Sequence, residues 1–375
     1  MAFPNPHEVH LHGSSARSAP DPFALRVLGA DTARLDELSA ALADAPVGTV
    51  VGRVARVDRG RFQLMTAVET LSVSTSGVSP VAVGDWCQVV AIPDHHGQPG
   101  ALELIRVFSR RSELVRQASG KRTELQALAT NIDTVMILVP LDRRISPQQV
   151  ERFLALALDS GATPVLILTK VDLVTHDVAS TAVNMVKTVT LDLPVLTSSV
   201  VADGGMDQVA KMVTRGQTVA LLGTSGSGKS SMVNAFMGAP TVATGAVRES
   251  DAKGRHTTTW RELLVTPGGA VLIDTPGLRE LGMWITDEGI DAAFSDVTDL
   301  EPHCRFNDCS HLSEPGCAVL SAIATGALPS NRLASYQKLQ KEAAFAARKV
   351  DLRLAKEEQK MWKQRELEGR RRARP

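Results

Sequence analysis

Two stretches decide the fold: Val165-Leu166-Ile167-Leu168-Thr169-Lys170-Val171-Asp172 and, later, Val219-Ala220-Leu221-Leu222-Gly223-Thr224-Ser225-Gly226-Ser227-Gly228-Lys229-Ser230. Each is a run of apolar residues ending abruptly in polar ones, as a buried strand of a parallel sheet does where it meets a functional loop. Further runs of this kind are Thr134–Val139, Pro194–Leu196 and Ala270–Ile273. Helical stretches lie between most of them, for example Pro147–Ser160 and Met206–Thr214. Strands alternating with helices predict an α/β domain whose parallel sheet is covered on both faces.

The second stretch has the glycine spacing of a phosphate loop, set between a strand and a helix that carries Met232, Val233 and Phe236. Gly223, Gly226 and Gly228 let backbone N–H groups turn toward phosphate oxygens, with Thr224, Ser225 and Ser227 between them. Lys229 is placed for the β and γ phosphates and Ser230, followed by Ser231, for Mg²⁺. The first stretch supplies a base reader. Asp172 can accept from guanine N1–H and its exocyclic amine, a donor pattern adenine lacks, with Thr169 and Lys170 in support. Thr197-Ser198-Ser199 is a backing loop, and Ser198 belongs to the expected nucleotide set. Asp274-Thr275-Pro276-Gly277 ends another strand, where Asp274 can hold Mg²⁺ through water and Gly277 can sense the γ-phosphate.

Base reader before phosphate loop is the reverse of the ordinary order. The expected domain is therefore a circularly permuted P-loop GTPase. Thr169 stands where asparagine is usual, so a hydroxyl replaces an amide that braces the phosphate loop; lowered nucleotide affinity is expected. Between the two phosphate motifs runs Gly254-Arg255-His256-Thr257-Thr258-Thr259. Thr258 is favoured there as an Mg²⁺ ligand, without separating it from Thr257 or Thr259. Leu278 occupies the place of a water-orienting glutamine, which leaves His256 as the candidate to position the water or to contact a partner.

The flanks carry other chemistry. Cys304-x₄-Cys309-x-His311-x₅-Cys317 offers three thiolates and one imidazole, a closed structural zinc set. His303 is surplus to it, and Cys87 reads as plain core. Five β-rich runs between Val47 and Val107 predict a small barrel of OB type. Arg53, Arg56, Arg59 and Arg61 crowd its first hairpin, either to solvate a strand or to contact RNA. Tyr336, Leu339, Ala343, Ala346 and Val350 form one apolar stripe of a last helix. From Ser335 to Pro375, thirteen Lys and Arg face six Asp and Glu, although the whole chain has zero formal charge; a polyanion at that end is implied. The expected division is a flexible extension 1–45 (its first twenty residues a disordered tail with His7, His10 and His12, and Thr32–Ala45 able to form a short helix), barrel 46–112, permuted GTPase 113–300, and zinc-binding helical domain 301–375 with its basic helix.

Of 375 residues, 43% are apolar and 22% charged, ordinary for a soluble globular protein. Neither a signal peptide nor an apolar run long enough for a membrane span is visible, and clustered cysteines suit a reducing compartment. A cytoplasmic location without membrane contact is expected.

On these residues, with Asp274 to Leu281 and Cys304 to Val319, the chain resembles the ribosome small-subunit-dependent GTPases, bacterial assembly factors of the 30S subunit. The resemblance runs from about Val47 to the last helix. It implies an OB-fold, a permuted GTPase domain and a zinc-bound helical domain, in a monomer that binds GTP, GDP and the rRNA of the maturing small subunit. It implies hydrolysis stimulated by that subunit, releasing the factor, with His256 at the position of the family's proposed catalytic histidine. Two other readings remain: an RNA-binding module locked by nucleotide without turnover, and an ATP-using enzyme.

Overall fold

The computed structural model describes residues 21–75, 80–93, 99–117, 125–190, 192–242, 262–274 and 284–348. Two helices come first, α1 (Pro22–Val27) and α2 (Thr32–Ala43). Asp21 and Asp31 cap them by accepting from the N–H groups of Phe23 and Arg34. Leu25, Leu28, Leu35 and Leu38 then bury against Val51, Trp86 and Phe108. The short helix expected over Thr32–Ala45 forms as α2, whereas α1 was not expected; these four leucines find an apolar face to cover, so the extension is packed from residue 21 on.

Five antiparallel strands follow: β1 (Thr49–Asp58), β2 (Arg61–Met65), β3 (Thr70–Ser74), β4 (Trp86–Pro93) and β5 (Pro99–Val107). β1 pairs with β2 and β4, β2 with β3, and β4 with β5. Val54, Phe62, Leu64, Val73, Cys87 and Val89 fill their common interior. A hairpin absent from the expected strands comes next, β6 (Glu113–Gln117) with β7 (Leu125–Thr130).

The α/β part runs β8 (Thr134–Pro140), α3 (Pro147–Asp159), β9 (Thr163–Thr169), α4 (His176–Thr190), β10 (Val195–Ser198) and α5 (Asp207–Lys211). It continues with β11 (Thr218–Gly223), α6 (Lys229–Met237), β12 (Glu262–Val265) and β13 (Val271–Asp274). The sheet order is β10-β9-β8-β11-β13-β12, parallel except for β12. Every residue of β8 is buried, and period-two alternation divides them between two cores. Val135, Ile137 and Val139 face the cluster that includes Val150 and Leu154 of α3. Met136 and Leu138 face Val209 of α5 and Met232 and Val233 of α6.

β12 also pairs Glu262 with Arg56 of β1, so the sheet is continuous with the five-stranded part. Arg53 fastens the same junction. Its guanidinium is fully buried and donates to the carbonyls of Leu28, Gly84, Thr130 and Asn131 and to the Thr218 hydroxyl. The expectation that Arg53 solvates a strand or touches RNA is corrected: it is an internal clasp. Arg56 instead lies partly exposed and pairs with Asp58.

The described residues end in α7 (Asp287–Ala293), α8 (Ser295–Thr298), α9 (Ala318–Thr325) and α10, residues 330–348. Tyr336 and Leu339 of the expected stripe are buried, with Ala343 packed beside them. Arg332, equally buried, pairs with Glu151 of α3 and Asp296 of α8.

Candidate nucleotide and metal sites

β11 delivers its last residue, Gly223, at φ 153°, where a Cβ would meet Ser227 Oγ at 2.5 Å and the Leu138 carbonyl at 2.6 Å. Only glycine fits. Gly228, at φ 95°, opens α6 and puts Lys229, Ser230 and Ser231 into its first turn. The N–H groups of that turn have no partner within the helix and can take an anion. Lys229 Nζ donates to the carbonyls of Gly223 (2.7 Å) and Thr224 (2.8 Å). Burial lowers its pKa to about 8, opposed by the charge of Asp274. Asp274, the last residue of β13, is itself raised by burial; Lys229 lowers it and Glu262 raises it again. Ser227 Oγ is buried without a hydrogen-bond partner among the described residues. A desolvated ammonium, an orphan hydroxyl and a buried carboxylate around one glycine loop fit a phosphate group with its counter-cation.

The segment expected to read the base sits against this loop. Thr169 is buried at the end of β9, and its hydroxyl donates to the Ser227 carbonyl at 2.8 Å. Gly228 lies beside it: an added Cβ would be in ordinary van der Waals contact with Thr169 Oγ1, at 3.8 Å. Threonine therefore makes the brace that the substitution for asparagine was expected to weaken. Lys170 turns the chain through a left-handed conformation (φ 62°) into the short turn Val171–Leu173, which presents Asp172 to solvent. Ser198 ends β10 directly beside Thr169 and is buried. The Ser199 hydroxyl accepts from the N–H groups of Val201 and Ala202, fixing the backing loop.

Two residues at this rim were missed. Asp142 pairs with both Lys170 and Arg143, and Arg143 Nη1 donates to the Ser225 carbonyl at 3.2 Å. Hydrogen bonding from Lys170 leads the causes that hold Asp142 below the usual carboxylate range. The signal was present: Asp142 and Arg143 follow β8 at the carboxyl edge of the sheet, where open α/β folds place their sites. His256, Thr257, Thr258, Thr259, Gly277 and Leu278 lie outside the described residues, as do the first twenty residues and the chain beyond 348.

The cysteine cluster forms as expected. Cys304, Cys309, His311 and Cys317 bring their ligand atoms within 4.8 Å of one another. Cys304 Sγ lies 3.9 Å from Cys317 Sγ and 3.7 Å from His311 Nδ1, and His311 Nδ1 lies 3.3 Å from Cys317 Sγ. A tetrahedron with bonds of about 2.3 Å to sulfur has edges near 3.8 Å, so this donor set fits one metal ion. Cys317 also caps α9 by accepting from the Leu320 N–H. Cys87 is core, as expected: buried in the five-stranded part, with its thiol pushed up by burial.

A family model described as RsgA GTPase matches residues 107–284. The small ribosomal subunit biogenesis GTPase RsgA of Streptomyces avermitilis is 44% identical over 330 residues, 86% of this chain and 87% of that one. Its Streptomyces coelicolor counterpart is 44% identical over 329 residues, covering 86% and 88%. Among solved structures, YjeQ from Thermotoga maritima superposes with a TM-score of 0.59 at 22% identity, over 79% of this chain and 99% of that one. YloQ, described as a circularly permuted GTPase, superposes at 0.56 and 21% identity, over 80% and 98%. A base reader encoded before the phosphate loop it touches has its counterpart in that permuted fold. With close relatives matching along most of its length, the chain belongs to the RsgA family of small ribosomal subunit biogenesis GTPases.

Proposed function

We propose that this protein hydrolyses GTP during late maturation of the small ribosomal subunit, binding its rRNA and leaving when hydrolysis is complete. The observation that carries the reading is the Thr169–Ser227 hydrogen bond, which sets the base-reading turn beside the phosphate loop. Asp172 selects guanine, with Lys170 and Ser198 in support. Lys229 and the loop amides from Gly223 to Ser231 hold the phosphates. Ser230, Asp274 and Thr258 serve Mg²⁺, which spreads the charge of the phosphates. Gly277 senses the γ-phosphate, and His256 positions the water.

The flanking parts serve the subunit. β3 runs beside β5, which supports the strand order 1-2-3-5-4-1 of an OB-type barrel. The Cys₃His set holds one structural zinc. The barrel and the basic C-terminal end then grip rRNA on two sides, as counter-ion release favours. The protein acts as a monomer in the cytoplasm, where subunits mature. Among the described residues no helix is long and apolar enough to cross a membrane.

The test is GTP turnover titrated with purified 30S subunits, with ATP as competitor. Turnover stimulated by subunits and untouched by ATP is the expected result. Binding without stimulated turnover would point to a nucleotide-locked RNA-binding module, and preferential use of ATP would remove the guanine assignment.

A further inference from the structure

The Thr169–Ser227 hydrogen bond joins the phosphate loop to the segment expected to read the base at one point. A second junction, made of charged side chains, lies at the same rim. The loop between β8 and α3 leaves the sheet beside the end of β9, where the Leu141 N–H donates to the Thr169 carbonyl at 3.0 Å. Leu141 and Ile145 are both buried, so the residues between them are anchored at each end. From this loop Asp142 accepts from Lys170 Nζ through Oδ2 and from Arg143 Nε, at 3.2 Å, through Oδ1. Arg143 Nη1 donates to the Ser225 carbonyl at 3.2 Å. Its Nη2 lies against the loop, where a Cβ on Gly226 would meet it at 3.0 Å.

The direction of one peptide makes this contact consequential. In a planar trans peptide the C=O and the following N–H point opposite ways. Holding the Ser225 carbonyl toward Arg143 therefore turns the Gly226 N–H away from it, and that N–H has no hydrogen-bond partner among the described residues. A carbonyl repels phosphate and an amide N–H attracts it, so the orientation of this peptide decides whether it helps or hinders an anion. Charge adds to this. Lys170 and Arg143 share the single carboxylate of Asp142, which leaves the rim with an uncompensated positive charge beside the loop.

We propose that Arg143 is a positioning residue of the phosphate loop: it holds the Ser225–Gly226 peptide with its N–H free for the nucleotide and, through Asp142, ties that peptide to Lys170. The proposal deepens the GTPase reading and rests on it. Recognition of the base and of the phosphates is then coupled through side chains as well as through the Thr169 brace. A nucleotide that seats Lys170 also steadies the peptide that meets its phosphates.

The test is a double-mutant cycle on the full-length protein, read as affinity for a fluorescent GDP analogue. Arg143→Ala should weaken binding about fivefold, the scale of one hydrogen bond from a partly exposed charged group. Arg143→Lys, which can still donate to Asp142 and to the Ser225 carbonyl, should recover most of that loss. Asp142→Ala cuts the same link, so the double variant should lose about fivefold again, where independent effects would multiply to about 25-fold. Nucleotide-free variants should melt close to native, because the side chains removed are partly exposed. Arg143→Ala binding within twofold of native, losses that multiply, or a lysine variant no better than alanine each overturn the proposal. So does an affinity loss matched by a lower melting temperature of the nucleotide-free protein, which marks general destabilisation. A native chain that fails to bind the analogue sinks the GTPase reading itself, and this proposal with it.

Discussion

The Thr169 hydroxyl donates to the Ser227 carbonyl across 58 positions of sequence, tying the segment expected to read the base to a phosphate loop that follows it in the chain. Strand pairing brings this about. β8 lies between β9 and β11 in parallel register, so both strands end at the same edge. Removing the hydroxyl while keeping the shape, as in Thr169→Val, leaves a buried carbonyl without its donor, a loss of about 1–3 kcal/mol. GDP affinity, followed with a fluorescent analogue, should fall by about tenfold, whereas Thr169→Asn should stay near native because it keeps a donor. Equal affinity in all three proteins would show that the contact is incidental.

Lys229 carries a conflict between stability and binding. Burial brings its pKa from the ordinary 10.5 down to about 8. The folded chain thus disfavours the charged form. That cost is present below about pH 8 and fades as pH rises toward 10.5. One pKa unit corresponds to about 1.4 kcal/mol, so the cost is on the order of 3–4 kcal/mol at neutral pH. Lys229→Met should remove nucleotide binding yet raise the melting temperature of the nucleotide-free protein at pH 7 by a few degrees. The gap should narrow in melts recorded toward pH 10. A variant that melts lower than native at pH 7 contradicts this account.

The Arg53 clasp predicts how the five-stranded part and the α/β part unfold. All five guanidinium N–H groups are used, each on an oxygen, and Gly29 approaches so near that an added Cβ would lie 2.4 Å from Nη1. Lysine has three donors on a flexible stem and cannot reproduce that fork. Arg53→Lys should cost about 2–4 kcal/mol, seen as a lower midpoint in urea unfolding. Separate transitions for the five-stranded part and the α/β part in Arg53→Lys, against one in the native chain, would identify the clasp as their coupling. An unchanged midpoint would mean the junction is held elsewhere.

Periodicity made much of this fold readable and burial made the rest opaque. The apolar runs at 134–139, 165–168 and 218–222 could only be covered strands, and glycine spacing marked the phosphate loop because few other residues tolerate those angles. The Cys304–Cys317 spacing was equally legible, since four ligands close together in sequence need little help from the fold. Arg53 was misjudged because its charge argued for the surface, and only a tertiary pocket lined with carbonyls could overrule it. α1 went unseen for a similar reason: six residues carry too short a pattern until Trp86 and Phe108 supply a face to cover. Asp142 and Arg143 belong to no motif, and their role follows from sheet order alone.

Arg332 holds the C-terminal helix to the rest of the chain. Its guanidinium donates to Glu151 Oε1 at 2.9 Å, twice to Asp296, and to the Ala293 carbonyl, while its face lies 4.2 Å over the Phe294 ring. Glu151 is 1% exposed, and its second oxygen has no hydrogen-bond partner among the described residues. Deleting the arginine would leave that carboxylate charged, buried and alone. Arg332→Met should therefore cost about 3–5 kcal/mol, whereas Arg332→Met combined with Glu151→Leu should recover much of the loss, because the stranded charge is gone. Urea midpoints of the two single variants and the double give the coupling directly. Recovery in the double variant identifies the stranded carboxylate as the main penalty. Additive losses would instead mean that Asp296 and the ring contact dominate, with Glu151 contributing little.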